Sequence, residues 1–332
     1  MRSCLPLVAA ILVTTVFLAT LGGASRVCAQ QTDDESQSVT VAAVAPAGGL
    51  QIVTFDLSGR QTARLLEERN DLNFPEWSAG NRHLVFMSAR SGKHQIHRLD
   101  ADGTNQVVLT QTASDEDHPR WRPDGKKIAW ASSQTGNYEI FVMDADGSNP
   151  VNLTNSRSYD SDPAWSPDGK QIAFASNRSG AFGAFHIWVM DADGTNPRRL
   201  VARDTIGFVY PSWSPDGAQI LFSDRVDDGT WQIFVATIDG RSVEQLTGGA
   251  GGNSFANWSP DGRYIAYMHF ERPMNQSPGP GRLMLYDTET ATHRKLGPDD
   301  VKCNGSWPSW RQDAGTNASP IDPFRPRAPA GN

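Results

Sequence analysis

The sequence predicts an all-β fold, a six-bladed β-propeller built from four-stranded antiparallel blades. Three observations predict it: a recurring tryptophan, a repeated turn motif beside that tryptophan, and complementary partial repeats at the two ends of the chain. The tryptophan stands at Trp77, Trp121, Trp165, Trp213, Trp258 and Trp310, at intervals of 44, 44, 48, 45 and 52 residues. Periods of about 40 to 50 residues are typical of propeller blades, each of which is one four-stranded sheet.

One repeat unit, from Pro163 to Val201, carries the signals of four strands. The short strand "PAW" is followed by the turn "SPDG", where proline presets the turn and glycine completes it. The segment "KQIAFAS" alternates apolar and polar residues, which predicts a half-buried strand. After the turn "NRSG" come a third strand, "FHIWVMD", the turn "DADGTN" and a short outer strand, "PRRLV".

The sixth blade is divided between the two ends of the chain. After Trp310 the text "RQDAG" is a degenerate copy of the turn motif, and the regular pattern then stops. The segments "SVTVAAVAP" from Ser38, "LQIVTFDLSG" from Leu50 and "RQTARLL" from Arg60 match the second, third and fourth strands of a unit. We therefore expect a carboxy-terminal strand to pair with the amino-terminal strands, because a closed ring protects the sheet edges that an open array would expose.

The composition of the chain outside the repeats predicts an export signal at the amino terminus and unstructured segments on both sides of the propeller. Arg2, the apolar run from Leu5 to Ala24 and the small residues Cys28 and Ala29 predict a cleaved signal peptide over 1–29. The alternative is an uncleaved anchor, because the run approaches the length that spans a bilayer. We expect a disordered linker over 30–37, the propeller over 38–311 and a disordered proline-rich tail over 312–332.

Charge and cysteine content limit which partners and which cellular compartments are possible. The formal net charge of -7 argues against a nucleic-acid partner, since phosphate binding requires clustered Lys and Arg. Of the three cysteines, cleavage after Ala29 leaves only Cys303, so no internal disulfide is expected. We expect a periplasmic or secreted monomer that has no stable membrane span after signal cleavage.

The repeat "PxWSPDGxxIAFxSxRxG", continued by "IxVMDADGxNxxxLT", resembles the propeller repeat of TolB-like periplasmic proteins. Matching copies begin at Pro75, Pro119, Pro163, Pro211 and Ala256. The resemblance implies a six-bladed propeller that is exported to the periplasm and binds protein partners. TolB itself carries an α/β domain before its propeller, and we expect that domain to be absent here. Similar repeats occur in oligogalacturonate lyases and in the propellers of some serine peptidases, so the resemblance implies the architecture more firmly than the activity.

The turns of the predicted blades divide into two sets. Turns between strands one and two and between strands three and four lie at one end of the ring, and these repeat "PDG" and "DADG" almost unchanged. Turns between strands two and three lie at the other end with the links between blades, and these vary in length and composition. We call this second end the mouth. Variable loops on one side of a repeat scaffold are typical of a binding surface.

The predicted mouth is acidic in the links to three blades and aromatic in the links to two others. The candidate partner-binding residues are Asp71, Asp115, Asp117, His118, Asp160, Asp162, Phe208, Tyr210 and Phe255. Such a mouth suits a basic or mixed peptide, or a cation. The alternative is that the acids pair with Arg90, Arg178 and Arg225 from turns at the same end. Exposed pairs contribute only about 0–1 kcal/mol, so the acids would then be nearly dispensable for stability.

Catalytic and metal-binding patterns are weak in this sequence. The motif "DADGTN" lacks the further oxygen ligands and the closing glutamate of a calcium loop, which favours a plain hairpin turn. The segment "GNSFA" lacks the final glycine and the strand-to-helix context of a nucleophile elbow, so Ser254 is not expected to be catalytic. We predict no catalytic residue, no metal site and no cofactor, while a channel cation such as calcium stays open.

The combined prediction is an exported, non-enzymatic propeller that binds a protein or peptide through its variable face and mouth. Two alternatives stay open. One is a metal-assisted enzyme similar to a polysaccharide lyase, and the other is a scaffold subunit of an envelope assembly.

Overall fold

The described part of the chain consists almost entirely of strands and tight turns. The computed structural model describes residues 37–69, 71–179, 184–201, 210–227, 229–272, 280–303 and 305–312. The chain divides into the units Met1–Glu35 and Ser36–Asn332, and the strands of the described residues all belong to the second unit. The predicted signal peptide, residues 30–36 and residues 313–332 lie outside the described residues. No helix within the described ranges is long and apolar enough to cross a membrane.

The strands form six four-stranded antiparallel sheets, the blades. Blade 6 contains the first three strands of the described residues, β1 (Gln37–Val44), β2 (Leu50–Asp56) and β3 (Gln61–Glu68). Blade 1 contains β4 (Leu72–Trp77), β5 (His83–Ser88), β6 (Gln95–Asp100) and β7 (Val107–Val108). Blade 2 contains β8 (Glu116–Trp121), β9 (Lys127–Ser132), β10 (Glu139–Asp144) and β11 (Val151–Asn152).

The remaining blades follow the same order. Blade 3 contains β12 (Asp160–Trp165), β13 (Gln171–Ser176), β14 (His186–Asp191) and β15 (Arg198–Arg199). Blade 4 contains β16 (Ser212–Trp213), β17 (Gln219–Arg225), β18 (Trp231–Thr237) and β19 (Val243–Gln245). Blade 5 contains β20 (Gly252–Trp258), β21 (Tyr264–Phe270), β22 (Arg282–Asp287) and β23 (Thr292–Lys295). The last strand, β24 (Ser309–Gln312), joins β1 and completes blade 6.

The two ends of the chain close the ring, as the sequence predicted. β1 pairs antiparallel with β24 in a register that places Val39 opposite Trp310 and Thr40 opposite Ser309. The Ser309 hydroxyl accepts a hydrogen bond from the backbone N–H of Trp77 at 3.0 Å, which ties blade 6 to blade 1. Contacts between β20 and β24 and between β24 and β4 complete the circle of inner strands. The all-β, six-bladed propeller is therefore confirmed.

The repeating tryptophans pack between neighbouring blades. Trp77, Trp121, Trp165, Trp213 and Trp310 are 5–8% exposed, and Trp258 is half-buried against the cluster of blades 4 and 5. The indole N–H of Trp77 donates to Thr40 Oγ1 at 2.8 Å, and that of Trp213 donates to the carbonyl oxygen of Ala164 at 3.0 Å. These tryptophans therefore belong to the core that joins the blades.

The repeated "DADG" turns contact the blade before them. Gly103 has a φ of 86°, and a Cβ at this residue would lie 2.5 Å from the carbonyl oxygen of Leu65 in β3. Gly147 and Gly194 stand in the same relation to Leu109 and Leu153, at 2.8 Å and 2.5 Å. Glycine is therefore required at this position for two reasons: the backbone is left-handed, and the preceding blade leaves no room for a Cβ atom.

Candidate functional site

The mouth is the end at which the links and the turns between second and third strands meet. Lys93, in the turn before β6, places its Nζ 3.0 Å from Asp115 in the link to β8. Tyr138, in the turn before β10, donates its hydroxyl to Asp117 Oδ2 at 2.6 Å. Around blades 1 and 2, turns and links therefore contact each other, and we call this border of the mouth the rim.

One residue from each blade points toward the axis just below this rim, and we call these six residues the axial ring. They are Phe74, His118, Asp162, Tyr210, Phe255 and Trp307, each three positions before the repeating tryptophan. The first five have φ values of 54°, 57°, 54°, 37° and 58°. In blades 1, 2, 3 and 5 the strand register shifts at this point, which identifies a β-bulge.

A proline explains how the sequence tolerates this bulge. Pro75, Pro119 and Pro163 directly follow a ring residue, at the position where the bulge leaves the ladder unpaired. Proline has no N–H to donate, so it costs the sheet no hydrogen bond there. Left-handed backbone is rare for residues other than glycine and concentrates at functional sites. The bulge therefore marks the axial ring as a candidate site.

The side chains of the axial ring touch across the axis and close the channel at this level. His118 of blade 2 and Tyr210 of blade 4 have ring centroids 6.2 Å apart, although blade 3 lies between them. Phe74 of blade 1 and Phe255 of blade 5 are 6.5 Å apart, and Tyr210 and Trp307 are 6.0 Å apart. The mouth therefore ends in an aromatic floor.

The polar members of the axial ring face each other. His118 Nδ1 lies 3.3 Å from Asp162 Oδ1, and the two side chains are 16% and 3% exposed. Burial raises the pKa of Asp162, although the charge of His118 opposes that shift. Asp162 Oδ1 receives no hydrogen bond from the described residues. The floor thus combines aromatic faces with one buried, incompletely bonded carboxylate.

A buried ion pair supports the floor from below. Arg120 Nη1 lies 2.6 Å from Glu76 Oε2, and the guanidinium sits 3.9 Å from the centroid of the Trp307 ring. Burial raises the pKa of Glu76, while the charge of Arg120 lowers it. Because the arginine is enclosed between the carboxylate and the indole, it fixes the position of Trp307 in the floor.

The acidic side of the rim is arranged around His94. The His94 Nδ1 atom lies 2.9 Å from Asp117 Oδ1, and its Nε2 atom lies 3.9 Å from Asp71 Oδ2. The hydrogen bond to Asp117 raises the pKa of His94 despite partial burial. Burial raises the pKa of Asp117, but His94, the charge of His118 and Tyr138 together bring it below its usual range. Both carboxylate oxygens of Asp117 therefore have a hydrogen-bond partner within the protein, and Asp117 positions Tyr138.

The other acids differ widely in exposure. The side chain of Asp71 is 66% exposed, and that of Asp115 is 32% exposed beside Lys93. Asp160 has a side chain that is 0% exposed and pairs with Arg178 at 2.7 Å. Burial raises the pKa of Asp160, while Ser176 and Arg178 lower it. Asp71 and Asp115 are therefore the acids that a partner can reach directly.

An aromatic arc continues the rim over blades 2 and 3. Tyr138, Tyr159 and Phe185 are all half-buried. The centroids of Tyr138 and Tyr159 are 5.0 Å apart, and those of Tyr159 and Phe185 are 5.4 Å apart with their planes at 89°. The arc comes from the turn before β10, the link to β12 and the turn before β14.

The structure brings eight of the nine sequence-predicted site residues to the mouth, and Phe208 lies outside the described residues. His118, Asp162, Tyr210 and Phe255 form part of the floor, and Asp71, Asp115, Asp117 and Asp160 lie at the rim. The expected acid–arginine pairing is present for Asp160 and Arg178, but Arg90 pairs with Glu68. The expectation that such pairs are exposed and dispensable is wrong for Asp160, because its carboxylate is fully buried.

Sequence reasoning missed the residues that complete the mouth. They are Phe74, His94, Tyr138, Tyr159, Phe185 and Trp307. Phe74 and Trp307 share the repeat position of His118, and His94, Tyr138 and Phe185 each directly precede a third strand. Alignment of the repeats on their tryptophans would have found Phe74 and Trp307, and also Tyr159, which occupies the repeat position of Asp71 and Asp115. Alignment on the third strand would have found the other three.

The "DADG" turns and the mouth contain the carboxylates that could bind a metal ion. In the turn after β6, Asp102 Oδ1 accepts hydrogen bonds from the backbone N–H and the hydroxyl of Thr104, at 3.0 Å and 2.6 Å. Asp146 and Asp193 make the same bonds in the next two blades, so in each of these hairpin turns a carboxylate oxygen is bonded to the turn itself. Over the described ranges, no group of three or more His, Cys, Asp or Glu residues is placed to hold a metal ion.

The family of the chain follows from its repeats. Residues 106–186 and 181–299 match the family described as TolB beta propeller domain, and together they cover more than half of the chain. The chain belongs to the TolB beta propeller family. The matched residues comprise the last strand of blade 1 and blades 2 to 5, and the axial ring spans all six blades. No protein with a curated description matches this chain.

Solved structures show the same architecture at low identity. TolB from Acinetobacter baumannii matches with a TM-score of 0.70 and 20% identity, over 93% of this chain and 75% of that chain. A chain of the nidogen/laminin complex matches with a TM-score of 0.62 and 13% identity, over 82% and 98%. An oligogalacturonate lyase in complex with manganese matches with a TM-score of 0.54 and 16% identity, over 81% and 76%. At these identities the matches show the fold alone.

Proposed function

We propose that this TolB-like propeller is an exported, non-enzymatic binding module that takes a protein or peptide partner at its mouth. The observation that carries the proposal is the aromatic floor. Because side chains from non-adjacent blades touch across the axis, a partner rests on the floor and against the rim. A mouth that ends in a closed floor and is bordered by variable turns suits a segment of a macromolecule.

The chemistry of the mouth supports a basic or mixed peptide segment. Asp71 and Asp115 offer reachable carboxylates, and Tyr138 and Tyr159 offer half-buried aromatic surface. Aromatic residues are enriched where interfaces concentrate their binding energy. The mouth therefore provides both a charge preference and apolar anchoring area. Export rests on the apolar amino-terminal run in the sequence.

Site-specific photo-crosslinking tests the proposal in the native envelope. A photoreactive amino acid replaces Lys93 at the mouth or, as the matched control, Lys170 in a turn at the opposite end; the two side chains are 51% and 80% exposed. We expect a discrete protein adduct from position 93 that is missing from position 170. Absence of an adduct at position 93, or the same adducts from both positions, would contradict binding at the mouth.

Two further outcomes distinguish the alternatives. Release of unsaturated products from an acidic polysaccharide supplied with manganese would contradict the non-enzymatic assignment. An adduct formed only from position 170 would place the partner at the opposite end and favour the scaffold alternative.

A further inference from the structure

We propose that the aromatic arc of Tyr138, Tyr159 and Phe185 is a subsite for one arginine side chain of the partner. This inference rests on the proposed function and names the chemical group that the mouth selects. Three observations support it: the geometry of the arc, the carboxylates around it, and the packing of this protein's own arginines on aromatic rings beside carboxylates.

The arc presents aromatic surface from three separate segments of the chain. Tyr159 lies between the other two rings, with centroid distances of 5.0 Å to Tyr138 and 5.4 Å to Phe185. The hydroxyl of Tyr138 is held by Asp117 at 2.6 Å, so this ring is fixed before a ligand arrives. A fixed aromatic wall costs little ordering entropy on binding.

The arc lies in the field of several carboxylates. Burial raises the pKa of Tyr138, and Asp117 and Asp115 raise it further. Burial likewise raises the pKa of Tyr159, with smaller contributions from Asp162 and Asp117. The charges that disfavour a phenolate at these tyrosines favour a cation placed against the same rings.

Elsewhere in the molecule, arginines already occupy comparable aromatic surfaces. The guanidinium of Arg120 lies 3.9 Å from the centroid of Trp307, and that of Arg178 lies 4.9 Å from the centroid of Phe174. Both arginines also pair with a carboxylate, Glu76 and Asp160 respectively. The rings of Tyr138 and Tyr159, with the partly exposed carboxylate of Asp115 near them, offer the same combination, and no arginine or lysine of the described chain lies over either ring.

The shape of the arc favours arginine over lysine. A guanidinium is planar and can stack on one ring while it donates several hydrogen bonds in its plane to carboxylates. An ammonium group is compact and more strongly hydrated, so it loses more on leaving water. Asp115, 32% exposed beside the arc, is the acceptor that a stacked guanidinium would reach.

Binding of three matched hexapeptides to the full chain tests the inference. The peptides are acetylated Gly-Gly-Xaa-Gly-Gly-Gly amides in which Xaa is arginine, lysine or citrulline, the neutral isostere of arginine. Dissociation constants are measured by NMR titration for the native chain and for Tyr159→Leu and Tyr159→Phe. We expect the arginine peptide to bind about 3- to 10-fold more tightly than the citrulline peptide, which is the range for a partly exposed cation on an aromatic ring. Lysine should fall between them.

The two variants separate the aromatic contribution from general structure. Tyr159→Leu should remove the preference for arginine over citrulline, and Tyr159→Phe should retain it, with melting temperatures recorded for both. Equal binding of arginine and citrulline, no measurable binding of the arginine peptide, or a preference that survives in Tyr159→Leu would overturn the inference. A partner adduct from position 93 without an arginine preference would leave the proposed function standing and refute only the subsite.

Discussion

At the scale of single residues, burial decides what each acid of the mouth does. Asp71 and Asp160 stand one position apart in the repeat, near the start of an inner strand, yet their side chains are 66% and 0% exposed. Asp160 is enclosed with Arg178, whereas Asp71 faces solvent near His94. A buried, hydrogen-bonded carboxylate holds the fold, and an exposed one is available to a partner.

Replacing Asp160 should therefore lower stability, in contrast to replacing Asp71. Asp160→Asn removes the charge that faces Arg178, and we expect the free energy of unfolding to fall by about 1.5–3 kcal/mol, the range for a hydrogen bond to a charged group. Asp71→Asn is the matched control and should change it by less than about 0.5 kcal/mol. Urea unfolding of both variants measures the difference, and equal stability of the two would show that the Asp160–Arg178 pair contributes nothing.

The residue scale also shows where prediction from the sequence stopped. Asp115, Asp117, Asp160 and Asp162 could be placed at the mouth from the repeat, because links and turns alternate by topology. Their exposure could not be predicted, because it depends on neighbours such as Arg178 beside Asp160 and on the bulge that turns Asp162 toward the axis. A left-handed residue before proline is not apparent in a pattern of apolar and polar letters.

At the scale of elements, two devices repeat in the blades and serve different ends of the molecule. Near the mouth, the bulge of the inner strand supplies one side chain to the axis. At the opposite end, the glycine of the "DADG" turn lets one blade approach the next, as Gly103 approaches Leu65. The first device varies its residue between blades and the second keeps its residue, which agrees with a binding role for the mouth and a packing role for the other end.

The packing role of the "DADG" glycine can be separated from its backbone strain. Gly103→Ala places a methyl group 2.5 Å from the carbonyl oxygen of Leu65, whereas Gly92→Ala, at a φ of 92°, meets nothing within 4 Å. Both variants incur about 1–2 kcal/mol for left-handed backbone. We expect Gly103→Ala to lose about 1–3 kcal/mol more, because the neighbouring blade must move. Denaturant midpoints of the two variants test this, and a smaller loss for Gly103→Ala would show that the contact is not tight.

At the scale of the whole molecule, two closures define the ring, and only one was predictable. The partial repeats at the two ends predicted the pairing of β1 with β24, because each end lacks the strands that the other supplies. The closure of the axis was not predictable, because Phe74 and Trp307 each resemble an ordinary core residue in their own repeat. Their meeting depends on six blades arranged in a circle, which no single repeat encodes.

Removal of β24 should therefore damage the whole ring. A chain that ends at Pro308 loses Ser309, which holds the backbone of Trp77, and loses Trp310, which is 7% exposed. Loss of a buried tryptophan alone costs about 3–5 kcal/mol, and β1 gains an unpaired edge that favours aggregation. A chain that ends at Gln312 keeps the whole of β24 and serves as the control. We expect the shorter chain to melt at least about 6 °C lower.

Addition of a synthetic peptide spanning residues 305–312 should restore part of the loss, because it can replace β24 beside β1. If the two truncated chains had the same melting temperature, the pairing of β24 with β1 would not hold the propeller closed. The floor of the mouth would then need another source of rigidity.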